Sequence, residues 1–164
     1  MGDRLVTGLI FLSALGSGLI AGTFFAFSTF VMAALARLPA AQGIAAMQSI
    51  NVVVINPLFM GAMFGTALAC IALGVASITG WGEPRALYLL SGGLLYLLGT
   101  VLVTMVFNVP RNDALAGLDP NSGEAVSHWV GYVAEWTAWN HVRMVAALAA
   151  TAAFILALRL PAAE

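Results

Sequence analysis

Between Leu5 and Leu35 the chain runs for 31 residues without one ionisable side chain. As a helix rising 1.5 Å per residue, such a run reaches about 46 Å, more than the roughly 30 Å of bilayer hydrocarbon. No soluble fold readily hides so long an apolar segment. Three further runs follow the same pattern: Leu58–Ile78, Ala86–Phe107, and a last one of about 140–159 that is uncharged from Met144 to Leu158. Four runs of this kind predict an all-α integral membrane four-helix bundle, multi-pass, occupying residues 1–164 as a single transmembrane domain, with spans near 5–35, 58–78, 86–107 and 140–159. Its first partner is the lipid bilayer, the cell membrane if the protein is bacterial.

Composition narrows the partners. Charged residues make up 8% of the chain, against roughly a quarter in ordinary soluble domains. Six arginines, no lysine and seven acids give a net charge of −1 and no basic stripe. Nucleic acid is therefore excluded as a partner, because phosphate binding needs such a stripe. Cys70 is the one cysteine, inside an apolar run, and reads as an inert buried thiol. Val6 breaks the myristoylation pattern at the N-terminus, and the first apolar run is too long for a secretory signal peptide.

The punctuation between spans is specific. Pro39 ends the first helix, and Ala40–Val54, with Gln42, Gln48, Ser49 and Asn51, predicts a short helix at the membrane interface between helices 1 and 2. Asn56-Pro57 reads as an N-cap followed by proline in the first helical position. Thr79–Arg85 is a turn by composition. Asn108-Val-Pro110 predicts the end of the third span, since a residue before proline resists the helical conformation. Gly18-x-x-x-Gly22 and the pair Gly61 and Gly65 offer small surfaces for close helix approach.

In an up-down-up-down bundle these signals collect at one end. Phe27, Asn51, Asn56, Asn108, Asn112, Asp113, Glu135, Trp139, Asn140, His141 and Arg143 share it, while the opposite end holds the termini and the 79–85 turn. The arginines divide evenly, Arg4, Arg85 and Arg159 against Arg37, Arg111 and Arg143. Discounting Arg143 as buried, and counting the N-terminal amine, places both termini in the cytoplasm.

Residues 128–143 concentrate the chemistry: three of the four tryptophans, both histidines, Glu135 and Arg143. On one helix Glu135, His128, Trp139, Tyr132, Arg143 and Trp136 fall within an arc of about 100°, with Asn140 beside it. His141 falls outside this arc, about 200° from Arg143. A charge at the membrane boundary calls for a partner, and Glu135 or Asp113 is the expected carboxylate for Arg143. The tryptophans also suit an interfacial aromatic belt. His128, Glu135 and His141 offer a two-histidine, one-carboxylate metal set, but their spacing does not converge on one face, so no metal ligand is assigned. No cofactor is identified, and nucleotide-binding and hydrolase motifs are absent.

The succession Gly22-Thr-Phe-Phe-Ala-Phe-Ser, Asn56-Pro57, Phe107-Asn-Val-Pro-Arg-Asn112 and Trp136-Thr-Ala-Trp-Asn-His-Val-Arg143 resembles the anthrone-oxygenase-like family of small four-helix membrane proteins. The chain departs from it in lacking a proline at or near Ala33. The resemblance implies a membrane oxidoreductase that oxidises a lipophilic aromatic or phenolic substrate with molecular oxygen. On that reading His141 is the base, Arg143 and Asn140 stabilise an oxyanion, and Phe24, Phe27, Asn108, Asn112, Trp136 and Trp139 bind substrate. The alternative is a non-enzymatic membrane protein, either a carrier of a small lipophilic ligand or an interaction module.

Overall fold

The computed structural model describes residues 2–160. Five helices account for nearly all of them: α1 (Asp3–Ala36), α2 (Ala40–Val53), α3 (Pro57–Thr79), α4 (Ala86–Ala116) and α5 (Gly123–Leu158). All but α2 are long and apolar enough to cross a membrane. Residue 1 and residues 161–164 of the expected single unit lie outside the described residues.

The four long helices form an antiparallel bundle in which α1 touches α3 and α5, and α4 closes the ring between α3 and α5. Pairs of contacts fix the direction of α5 against α1. Thr151 donates to Ser17 Oγ at 2.9 Å, and Asn140 donates to the Phe24 carbonyl at 2.7 Å. The main core lies among all four and includes Ile10, Ile20, Cys70, Leu73, Tyr96 and Phe154. Leucines and isoleucines such as Leu12, Leu19, Leu68, Ile78 and Leu87 cover the outside and form the lipid face. Such a surface is stable in hydrocarbon because every helical backbone bond is satisfied internally.

The expected N-cap is present: Asn56 Oδ1 accepts from Leu58 and Phe59 backbone N–H groups at 3.1 and 3.0 Å, with Pro57 at the helix start. Such a cap contributes about 1 kcal/mol. Ser122 caps α5 in the same way through Ala125. Close approach between helices occurs at Gly16, where an added Cβ would strike the Thr66 hydroxyl, and at Gly99, where it would strike Ala146. Gly22, Gly61 and Gly65 meet nothing within 4 Å. Gly93 lies against the Cys70 carbonyl and Gly92 against the Phe154 ring in the same way, whereas of the Gly18–Gly22 pair only Gly18 meets a neighbour, Thr151, at ordinary contact distance.

One expected boundary is corrected. The third span does not stop at Asn108-Val-Pro110, and α4 continues to Ala116 with Val109 in the helical region (φ −60°, ψ −49°). The turns before it, Leu95–Leu102 and Thr104–Asn108, are wound as π-helix. A proline ring normally collides with the carbonyl four residues back, and the wider π turn gives that carbonyl room. A further π turn, Phe27–Val31, interrupts α1 at the same end of the bundle, where Met32 N–H reaches back to the Phe27 carbonyl.

At this end α2 lies across α1, α4 and α5. Ile44 and Met47 are fully buried in a second core with Met32, Leu35, Leu115, Trp129, Tyr132 and Trp136. Gln48 Nε2 donates to the carbonyls of Leu115 and Leu118 at 2.9 and 3.0 Å, so α2 is tied to the end of α4 as well as packed on it.

The opposite end is less bare than its sequence suggests. Arg85, largely buried, bonds Asp3 at 2.7 Å and Glu83 at 3.3 Å, joining the start of α1 to the α3–α4 turn. Discounting buried arginines therefore removes Arg85 as well as Arg143. Arg4 and Arg159 then stand against Arg37 and Arg111, and the charge asymmetry that favoured cytoplasmic termini rests on the N-terminal amine alone.

Candidate functional site

A cavity of about 680 Å³ occupies the junction of the two cores. Every helix contributes to its wall: Thr23, Phe24 and Phe27 from α1, Met47, Gln48 and Asn51 from α2, Phe59, Met63 and Phe64 from α3, Thr104, Met105, Asn112 and Asp113 from α4, Trp136 and Arg143 from α5. Its size suits a small organic ligand. Val52, Ile55, Phe64 and Met105 belong both to this wall and to the exposed apolar surface. The chamber thus opens sideways, between the α2–α3 junction and α4.

Arg143 forms the charged wall, with 4% of its surface exposed. Its guanidinium carbon lies 4.2 Å from the Phe24 ring centre and 5.0 Å from that of Trp136, a cation between two aromatic faces. Nη2 donates to Asn140 Oδ1 at 2.8 Å and Nη1 to Thr104 Oγ1 at 3.3 Å, while Nε has no partner. The expected carboxylate is elsewhere. Glu135 pairs with Arg111, Nη2 to Oε2 at 2.7 Å, and Asp113 is exposed at the cavity wall. Among the described residues none of the ion pairs involves Arg143. The pairing expectation fails for a geometric reason: Glu135 is two turns before Arg143, beside Arg111 on α4.

Asn140 is fully buried and satisfied. Its Nδ2 donates to the Phe24 carbonyl and Ser28 Oγ, both at 2.7 Å, and its Oδ1 accepts from Arg143. It clamps α1 at the entry to the π turn and holds the guanidinium. Asn112 Oδ1 accepts from Tyr132 Oη at 2.9 Å and Trp136 Nε1 at 2.8 Å. Those two donors fix the amide's orientation. Asn108 is buried, donates to the Trp136 carbonyl at 3.2 Å and supports the wall from behind.

The sequence-predicted residues therefore divide. Phe24, Phe27, Asn112, Trp136 and Arg143 line one chamber, and Asn140 and Asn108 brace it. Trp139 stacks on Phe107, ring centres 3.5 Å apart and 10° from parallel, outside the chamber. His141 is exposed. α5 is regular α-helix from Gly123 to Leu158, so no distortion near Thr137 swings His141 round to Arg143. His128 is exposed too, and among the described residues no three histidine, cysteine or acidic side chains gather as a metal site.

Thr104, Met47, Phe59 and Met63 were not visible as site residues in the sequence. Thr104 alone left a signal, as a hydroxyl inside an apolar span. The others are apolar residues in apolar runs.

Four membrane-spanning helices, closed at one end over an aromatic chamber with a buried arginine, define a polytopic membrane protein with an internal ligand-sized site. The anthrone oxygenase family profile matches residues 56–153, from the N-cap of α3 to near the end of α5, and the chain belongs to that family. No curated protein and no solved structure matches it.

Proposed function

We propose that this protein oxidises a lipophilic aromatic substrate with molecular oxygen inside the α1–α5 chamber. The observation that carries the reading is Arg143: a cation with no carboxylate partner among the described residues, faced by two aromatic rings, on the wall of a cavity that opens toward lipid. Family membership supplies the reaction class.

An anthrone carries a CH2 group between two aromatic rings and opposite a ketone. Loss of one proton leaves an anion whose charge rests largely on the ketone oxygen. That anion passes electrons to dioxygen, the CH2 becomes a second ketone, and the other oxygen atom leaves as water. Arg143 is suited to hold the oxygen where charge develops, in a site shielded from water. Phe24, Phe27 and Trp136 supply flat apolar walls. Asp113 replaces His141 as the proposed base, being the carboxylate on the cavity wall and accessible to water. Asn140 acts as a positioning residue through Arg143. The cell membrane is the proposed site of action if the protein is bacterial.

Oxygen consumption and quinone formation from an anthrone by the purified protein test this reading. Wild type should turn over, Asp113→Asn and Arg143→Gln should lose at least tenfold in kcat, and His141→Gln should stay within twofold. Wild-type protein no faster than empty detergent micelles would remove the enzymatic reading in favour of a ligand carrier.

A further inference from the structure

We infer that the chamber has a donor-rich, cationic subsite selecting ligands that bear an oxyanion on an apolar body. This deepens the reading above and rests on the same chamber, but it concerns what binds and not what reacts.

Three donors on the cavity wall carry it. Arg143 Nε is buried and without a partner. Asn51 Nδ2, from α2, is buried and without a partner. Asn112 has its Oδ1 occupied by Tyr132 and Trp136, which turns its Nδ2 away from those two donors, and among the described residues Nδ2 meets no acceptor. A buried donor left unpaired is destabilising; α2 and α5 each bring one to the cavity, and α4 adds the half-buried Asn112 amide. The neighbouring donors Gln48 Nε2 and Thr104 Oγ1 are already committed, the first to two carbonyls and the second to the Thr100 carbonyl. Asp113, the carboxylate on this wall, is exposed, whereas Arg143 is nearly inaccessible. The charge pattern is thus an uncompensated cation inside and an anion at the mouth.

The chemistry that satisfies such a group is acceptor-only and negatively charged. A phenolate, an enolate or a carboxylate meets it. A primary amide or alcohol meets it poorly, because it brings donors of its own. The same chemistry also belongs to a phospholipid phosphate entering through the side opening.

Equilibrium binding under argon separates these cases, using matched probes of one shape: 2-naphthoate as anion and 2-naphthamide as its neutral counterpart. In phosphatidylcholine nanodiscs wild type should bind naphthoate at least tenfold more tightly than naphthamide. Arg143→Met should narrow that ratio below twofold, while Arg37→Gln, at the same end but exposed, should keep it. Should Arg143→Met fail to purify, Asn51→Leu carries the test and should narrow the ratio at least threefold. Competition by phosphatidylglycerol nanodiscs would assign the oxyanion to a lipid headgroup, and its absence to an aromatic ligand. Equal or tighter binding of the amide by wild type overturns the proposal. The arms are independent of turnover. An intact anion preference without oxidation discards the reaction alone, and oxidation without the preference discards the subsite alone.

Discussion

The Asn140 side chain donates to the Phe24 carbonyl at 2.7 Å across 116 positions of sequence. This bond fastens α5 to α1 where the π turn begins, and the same amide accepts from Arg143. Asn140→Ala should therefore leave the guanidinium and a helix carbonyl short of partners. Buried losses of this kind cost about 2 kcal/mol, although interhelical bonds in membranes average less, about 0.6 kcal/mol. A lowered thermal midpoint in detergent, together with reduced activity, is the expected result.

Arg143 should behave differently from Asn140. Among the described residues it has no anionic partner to strand, so replacing it by an apolar side chain of similar length leaves no buried countercharge. Arg143→Met is expected to melt within a few degrees of wild type and above Asn140→Ala. Its oxidation rate should fall at least tenfold. A melting point lower than that of Asn140→Ala would mean that the arginine holds the bundle together.

Gly16 and Gly65 offer a paired test of packing. A methyl at Gly16 meets the Thr66 hydroxyl, whereas one at Gly65 enters open space. Overpacking costs typically 1–3 kcal/mol, so Gly16→Ala should lower the thermal midpoint and Gly65→Ala should leave it unchanged.

The Arg111–Glu135 pair is exposed on the Glu135 side. Such pairs contribute about 0–1 kcal/mol. Glu135→Gln should accordingly change neither thermal stability nor naphthoate binding by more than experimental error. A marked loss of binding in that variant would reinstate Glu135 as a partner of Arg143.

Four spans, the α2 helix and the Asn56 cap were legible because each rests on local chemistry: apolar length, a proline break, an amide before Pro57. The continuation of α4 through Pro110 was not. It depends on π turns upstream, and nothing in Leu95–Asn108 distinguishes a π from an α winding. Half of the site was legible as a group of polar residues on α4 and α5. His141 lies exposed on a different face of α5 from Arg143, as the helical phase of a regular helix requires despite their closeness in sequence. Asn51 and Asp113 were visible as polar residues at the right end. Their place on the cavity wall follows from how α2 folds back over α4 and α5, a tertiary fact with no local signature.

The side opening bounded by Phe64 and Met105 changes the units in which this protein meets its ligand. Met105 is 59% exposed and Phe64 46% exposed, and both reach from the lipid face to the chamber. A ligand dissolved among acyl chains arrives by diffusion in two dimensions, and what governs occupancy is its mole fraction in the bilayer. Enlarging the pool of lipid at constant total ligand and protein would then slow the reaction, while adding buffer would leave the rate per protein molecule unaltered. For the proposed reaction the surrounding membrane would in that sense be the substrate reservoir, and its composition would set the working concentration.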